Sequence, residues 1–325
     1  VEYRILGKTG LKVSLLSYGV YSLTGMYGSI TEEEAIRILR KAWDLGINFY
    51  DTADVYGFGL GEVLLRKAFG DCLKDVVVAT KVGYDFYSNP MTRRYDPGYL
   101  EFAVIKSMER LGKKPIDLLQ VHNPPLDVLR QETLYRTLKR LVDEGIVAHI
   151  GVALGPEVNV LQEAVEALKH PEVEVVQFVY NMLEQQPGRT IAGLARRSNV
   201  GVIVRVPHAG GVLDETLKPG MEANLADHRS LRRREWFKWA YEVYRMYKEV
   251  LDGRPGTPGQ KAIRFIIDSI EPHSIVLIAR DVERLEDYVG ALKVESLGWD
   301  VVAKIMEVHD REFLRNPELY PHSLT

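Results

Sequence analysis

Only one cysteine, Cys72, occurs in 325 residues, so no internal disulfide can form and a reducing compartment is expected. No Cys/His cluster has the spacing of a zinc site, and no metal is expected. No apolar run approaches the ~20 residues that span a bilayer, and the opening Val-Glu-Tyr-Arg-Ile-Leu-Gly-Lys lacks the charged-then-apolar order of a signal peptide. The expectation is a cytoplasmic protein that engages no membrane. An excess of either charge is missing too: Lys plus Arg number 42 against 45 Asp plus Glu, and a net charge of −3 argues against nucleic acid as a partner. No Gly-x-Gly-x-x-Gly follows the first strand, which ranks a doubly wound, dinucleotide-binding open sheet below its alternatives. Small-molecule chemistry remains, on a chain whose 46% hydrophobic content supports a large core.

What is present is a repeat of short β-rich runs and helical patterns. Tyr3 to Leu6 and Lys12 to Leu16, around Gly7-Lys8-Thr9-Gly10, predict an N-terminal β-hairpin. Strands are expected at Leu15 to Gly19, Asn48 to Asp51, Val76 to Lys81, Ile116 to His122, His149 to Val152, Val175 to Tyr180, Val202 to Val206 and Ser274 to Ile278. Helical spacing fills Glu32 to Leu45, Gly61 to Phe69, Pro97 to Leu111, Glu132 to Asp143, Glu157 to Leu168, Arg189 to Arg197 and Glu235 to Ser269. Eight strand-helix units predict an α/β fold, a parallel (β/α)8 TIM barrel forming one domain over residues 1–325. The surplus is an insertion at about 213–258 after strand seven and a tail at about 295–325, both expected to cover the barrel or its mouth.

A barrel gathers the ends of its strands in space, and here those ends are chemically loaded. Strand two runs Asn48-Phe-Tyr-Asp51 into a loop carrying Tyr56 and Gly57; strand three ends at Lys81 and strand four at His122-Asn123. Taken singly, an acid is a cap, a phenol a loop aromatic, a lysine a solvated end and a histidine a structural residue before a turn. Together they suit metal-free carbonyl reduction. A phenol with an ordinary pKa of about 10 donates poorly near neutrality unless a cation favours its anion. Lys81 is the expected cation, held charged by Asp51, with His122 orienting the substrate oxygen. Tyr21, Tyr84 and Phe86, with Asn123, follow strands one, three and four, where they could wall a substrate slot.

These segments resemble the aldo-keto reductase family. The resemblance is carried by Leu6-Gly-Lys-Thr-Gly-Leu-Lys-Val-Ser14, Asn48-Phe-Tyr-Asp-Thr-Ala-Asp-Val-Tyr-Gly57 with Glu62, Val78-Ala-Thr-Lys81, Asp117-Leu-Leu-Gln-Val-His122 and Gln177-Phe-Val-Tyr-Asn181. It implies a catalytic tetrad of Asp51, Tyr56, Lys81 and His122 with the tyrosine as proton donor. It also implies NADPH as cofactor, less often NADH, bound without a Rossmann motif, and a small carbonyl or alcohol as substrate. On the cofactor side the resemblance points to Gln177, Asn181, Arg205, Pro207, Gly210, Gly211, Arg280, Arg284 and Asp287. Arg205 stands where the family has an aromatic, and Arg280 and Arg284 where an adenosine 2′-phosphate would arrive. Two departures are plain: Gly151-Val-Ala-Leu-Gly155 lacks the family's Ser-Asn pair, and Val276-Leu-Ile-Ala-Arg280 lacks its Pro-Gly. They keep open an alternative, a non-catalytic barrel of the same family that binds a cofactor or regulates. The insertion's Arg229, Arg232, Arg233 and Arg234, ahead of an aromatic-rich helix, read either as a lid or as the charged start of an amphipathic helix.

Overall fold

In the computed structural model, which describes residues 1–155, 159–221 and 227–316, eight parallel strands close into a barrel. They are β1 (Leu16–Gly19), β2 (Phe49–Asp51), β3 (Val77–Val82), β4 (Ile116–His122), β5 (Val147–Ala153), β6 (Val175–Val179), β7 (Gly201–Arg205) and β8 (Ser274–Leu277). Each pairs with its sequence neighbour, and β8 closes on β1 with Ile275 opposite Leu16. The expected barrel and N-terminal hairpin are both present. The hairpin, Tyr3–Ile5 with Lys12–Ser14, plugs the N-terminal end: Leu6 and Val13 pack with Phe49, Ala79, Leu118, Val175, Ile203 and Val276 in one buried cluster. The plug sits so close that a Cβ on Gly7 would lie 2.3 Å from the Gly201 nitrogen, at a φ of +53°. Only glycine fits there.

Helices α1 (Glu32–Asp44), α2 (Leu60–Phe69), α3 (Pro97–Leu111), α4 (Glu132–Asp143), α5 (Val160–Ala167) and α6 (Gly188–Arg197) follow the first six strands and bury their apolar faces on the barrel. Their starts are set locally: Thr31 and Glu34 form a capping box on α1, and the Asp96 side chain caps α3. The expected single helix from Glu235 to Ser269 is instead two, α7 (Arg234–Val250) and α8 (Pro258–Ile270). Gly253 and Gly256 both take left-handed backbone between them. Thr257 then opens α8 with a second capping box to Gln260 and Pro258 in the first turn, so the periodic run is cut by strong local signals.

α9 (Val282–Gly290) follows β8, and the tail contributes α10 (Trp299–Arg315). The buried His309 of α10 accepts a bond from the Gln185 amide beyond β6, and Asp310 pairs with Arg189, so the tail braces the helical wall. α7 buries Trp236, Phe237, Trp239, Val243 and Tyr247. No helix among the described residues is long and apolar enough to cross a membrane. Parts of the insertion and tail lie outside those residues.

Candidate active site

Strand register brings the polar residues together. Asp51 pairs with Ala79 two residues before Lys81, Lys81 lies opposite Gln120, and His122 lies opposite Ala153, which also pairs with Gln177. Lys81 Nζ donates to Asp51 Oδ1 at 2.6 Å and to the Thr52 carbonyl at 2.8 Å, and lies 3.5 Å from the Tyr56 hydroxyl. Tyr56 meets the His122 ring edge-on at 5.9 Å, so all four expected residues form one constellation. The ion pair is almost wholly buried, with side-chain exposures of 1% and 6% for Lys81 and Asp51, which shields it from screening by salt.

Two glutamines complete the setting. Gln177 Nε2 donates to Asp51 Oδ2 at 2.7 Å, and Gln120 Nε2 reaches the same oxygen at 3.4 Å. Gln120 escaped the sequence reading, although its parity on β4 with His122 carries a usable signal: a polar side chain on the inward face of an otherwise apolar strand.

Electrostatics differ from the expectation in one respect. Burial, then the Asp51 carboxylate, push the Tyr56 phenol well above its ordinary value, against a downward pull from Arg205. Lys81 is itself pushed down by burial, against the pull of Asp51. The expected lowering by lysine is therefore not the net result: Asp51 offsets the ammonium, and desolvation outweighs what remains. His122 is held far below the usual imidazole range by burial, then by Lys81 and Arg205, and is neutral at pH 7. Asp54, fully buried with neither carboxylate oxygen hydrogen-bonded, is pushed well up by burial and then by Glu62.

The constellation heads a cleft of about 560 Å³ that runs past Arg205, Pro207, Gly210 and Gly211 to Arg280 and Arg284. Tyr21 lines it, edge-on to Tyr56 at 4.7 Å. Tyr84 backs His122 at 4.9 Å and receives a bond from Asn123 Nδ2 at 3.0 Å, whereas Phe86 stacks on Tyr87 at 4.3 Å. Arg205 Nη2 donates to the Leu154 carbonyl at 3.0 Å. The next residue, Val206, is held at a φ of +62°, a conformation costing a β-branched residue roughly 1–3 kcal/mol.

Three expected cofactor residues also make bonds within the fold. Asn181 donates to the Val206 carbonyl at 2.9 Å and to Glu184 at 2.7 Å, and its own oxygen accepts from the Leu183 and Glu184 amides, so it clamps the strained turn. Asp287 accepts from Thr257 and Gln260 at the start of α8. Arg280 is bound to the carbonyls of Tyr27, Gly28 and Ser29 in the loop after β1. Arg284 lies 3.6 Å from Asp214, an acid in the cleft that also accepts from Tyr288 and Thr216. No sequence pattern marked Asp214. From the insertion, Arg229 and Arg232 line the cleft, paired with Asp227 and Glu184.

A plugged parallel barrel with an acid, phenol, lysine and imidazole on neighbouring strand ends defines the class, and comparison with known proteins defines the family. Residues 15–310 match the aldo/keto reductase family, and the chain belongs to it. It is 28% identical over 311 residues to aldo-keto reductase yakc of Schizosaccharomyces pombe, whose name specifies NADP(+), covering 92% of this chain and 89% of that one. It is 27% identical to L-glyceraldehyde 3-phosphate reductase of Escherichia coli, with 90% and 88% covered. Among solved structures, aldo-keto reductase AKR11C1 from Bacillus halodurans in its holo form superposes with a TM-score of 0.79 at 26% identity, covering 94% and 96%. Membership supports an oxidoreductase activity of the aldo-keto reductase type.

Proposed function

We propose that this protein is an NADPH-dependent oxidoreductase that reduces an aldehyde or ketone to the alcohol, or runs the reverse, with Tyr56 as general acid and base. The observation that carries this reading is the Asp51–Lys81–Tyr56 chain, 2.6 Å and then 3.5 Å, set beside neutral His122 at the head of a long cleft. The residues present fit a nicotinamide cofactor. Gln177 Oε1 is buried without a hydrogen-bond partner and can accept from a carboxamide. Gly210 and Gly211 turn the loop beyond β7 in left-handed conformations, and a Cβ on Gly211 would meet Thr216 Oγ1 at 2.6 Å. Arg205, Pro207 and Gly210 would line its nicotinamide and pyrophosphate portions, and Arg284 its adenosine end.

When bound, the reduced cofactor supplies the hydride. The chain's own part is positional and electrostatic. Tyr56 Oη presents a proton, Lys81 holds the phenol at one edge, and Asp51 with Gln177 and Gln120 keeps Lys81 in place. His122, uncharged, contributes a hydrogen bond that fixes the carbonyl angle without competing as an acid. Titration with NADPH and NADH by fluorescence, followed by a carbonyl screen read as loss of reduced cofactor, tests the reading. Tight binding with turnover supports it; binding with no turnover of any carbonyl or alcohol favours the non-catalytic alternative, to which the internally engaged Arg280 also points.

A further inference from the structure

Two positions after Tyr56, Phe58 is 72% exposed and held at a φ of +54°. Left-handed backbone suits Gly or Asn, and a phenylalanine placed there in solvent gains nothing from its own turn. Its ring faces a second aromatic loop. Phe86 lies 5.9 Å from Phe58 and stacks on Tyr87 at 4.3 Å, and Tyr87 meets Phe102 of α3 edge-on at 5.0 Å. The two loops carry matched pairs. Tyr56 and Tyr84 each meet the His122 ring edge-on, at 5.9 and 4.9 Å, and two positions farther along each loop Phe58 and Phe86 meet each other. The walls of the tetrad thus continue outward as an apolar ledge, and an exposed patch of this kind marks a binding surface.

The ledge is fixed from below. Arg110 Nη1 donates to Tyr87 Oη at 2.7 Å, its guanidinium lies 5.9 Å from the Phe86 ring, and a Cβ on Gly59 would sit 2.6 Å from Arg110 Cδ. One side chain therefore lies against both loops. Arg110 is held in turn by the fully buried Glu62 at 2.6 Å, whose other oxygen accepts from Thr80 Oγ1 at 2.6 Å, next to Lys81. A buried ion pair adds little net stability, so its presence points to positioning. We propose that Phe58, Phe86 and Tyr87 form a binding site for the aryl or extended apolar part of a carbonyl substrate whose reacting end lies at Tyr56 and His122. The inference rests on the reductase reading and gives it a substrate class: aromatic or long-chain aldehydes and ketones rather than short polar ones. A second copy of this chain is the rival occupant. Continuity with the walls around His122 favours the substrate, because only a ligand that also enters the tetrad uses both parts of the surface.

The test compares propanal, benzaldehyde and 4-phenylbenzaldehyde at saturating NADPH in the wild type, Phe58→Asn and Phe58→Tyr, with far-UV circular dichroism to verify folding. Asn accepts left-handed backbone, so Phe58→Asn removes the ring without straining the turn, and Phe58→Tyr keeps the ring. Wild-type kcat/KM should rise with apolar size. Phe58→Asn is expected to lower kcat/KM for 4-phenylbenzaldehyde roughly 10-fold through KM, with propanal and the NADPH dissociation constant within about twofold, and Phe58→Tyr should retain wild-type values. An equal loss for all three aldehydes, a change confined to kcat, an unchanged KM for 4-phenylbenzaldehyde or no rescue by tyrosine would overturn the proposal. Light scattering that shows a wild-type dimer dissociated by Phe58→Asn, with that KM unchanged, would make the ledge a contact between copies instead. A wild type that reduces propanal but shows no preference for apolar size overturns this inference alone; one that binds NADPH yet reduces no carbonyl overturns the reductase reading and this inference with it.

Discussion

At the tetrad end of the cleft a buried lysine, an aspartate and two glutamines bond to one another through short contacts in strands; at the far end, charge is tied up by loop and helix groups. There Arg280 holds three carbonyls of the β1 loop, and Asp214 gathers Tyr288, Thr216 and Arg284. The first end is held because its partners are fixed by barrel register, and the chemistry proposed for it needs such rigidity. At the second end most donors and acceptors are already bonded, Arg280 Nε excepted, so a ligand arriving there must compete with bonds the protein already makes. Affinity and chemistry should therefore be separable by mutation, one end at a time.

The largest effect is expected from Lys81→Met. Removing one member of a buried pair leaves Asp51 charged and unmatched, at a cost of about 3–5 kcal/mol. Chemical denaturation should register that loss together with severely impaired turnover, and Asp51→Asn in the same chain should restore much of the stability but not the activity. A loss below about 1 kcal/mol would put Lys81 among ordinary surface ion pairs and break the contrast between the ends.

In the second rank stands a pH effect that lies outside the cleft. Burial holds His309 near a pKa of about 4, and its Nε2 must stay unprotonated to accept from the Gln185 amide. The unfolded chain takes up the proton from about pH 6.5 downward. Stability is thus complete above pH 6.5 and falls toward pH 4, by of order 3 kcal/mol from this residue at most. His273, also near 4, adds to the loss with the same sign. Denaturant midpoints at pH 7.5, 5.5 and 4.5 measure it, and a His309→Gln chain should show a shallower slope. This baseline must be subtracted before any acid limb in activity is assigned to the tetrad.

At the far end, Asp214→Asn should release Arg284 and remove an anion from the cleft, tightening NADPH relative to NADH roughly tenfold. No change in the ratio would place the 2′-phosphate elsewhere. The smallest effect concerns Arg280. Because its N–H groups already serve the β1 loop, Arg280→Ala should loosen that loop and weaken NADH and NADPH by a similar factor, of about 3-fold. A loss confined to NADPH would show that the guanidinium leaves the carbonyls to read the phosphate.

What the sequence revealed follows the same division. The strands and the four tetrad residues were legible because short apolar runs ending in Asp51, Lys81 and His122 announce both a barrel strand and its mouth. Gln120 was missed because its partner, Asp51, lies 69 positions away and nothing in local spacing links them. The break between α7 and α8 was written in Gly253-Arg-Pro-Gly-Thr-Pro258, yet apolar periodicity on both sides masked it. The engagements of Arg205, Arg280 and Asn181 were illegible for another reason: each leans on backbone carbonyls, and a carbonyl has no letter of its own.

The central claim, that Tyr56 is the proton donor of a working reductase, is tested most directly by Tyr56→Phe. Its NADPH dissociation constant and its single-turnover rate with an aldehyde that the wild type reduces are measured side by side. A rate reduced by roughly 10²–10⁴-fold with cofactor affinity within about twofold is the expected result, because the hydroxyl matters only in the transition state. Turnover at the wild-type rate would contradict the account.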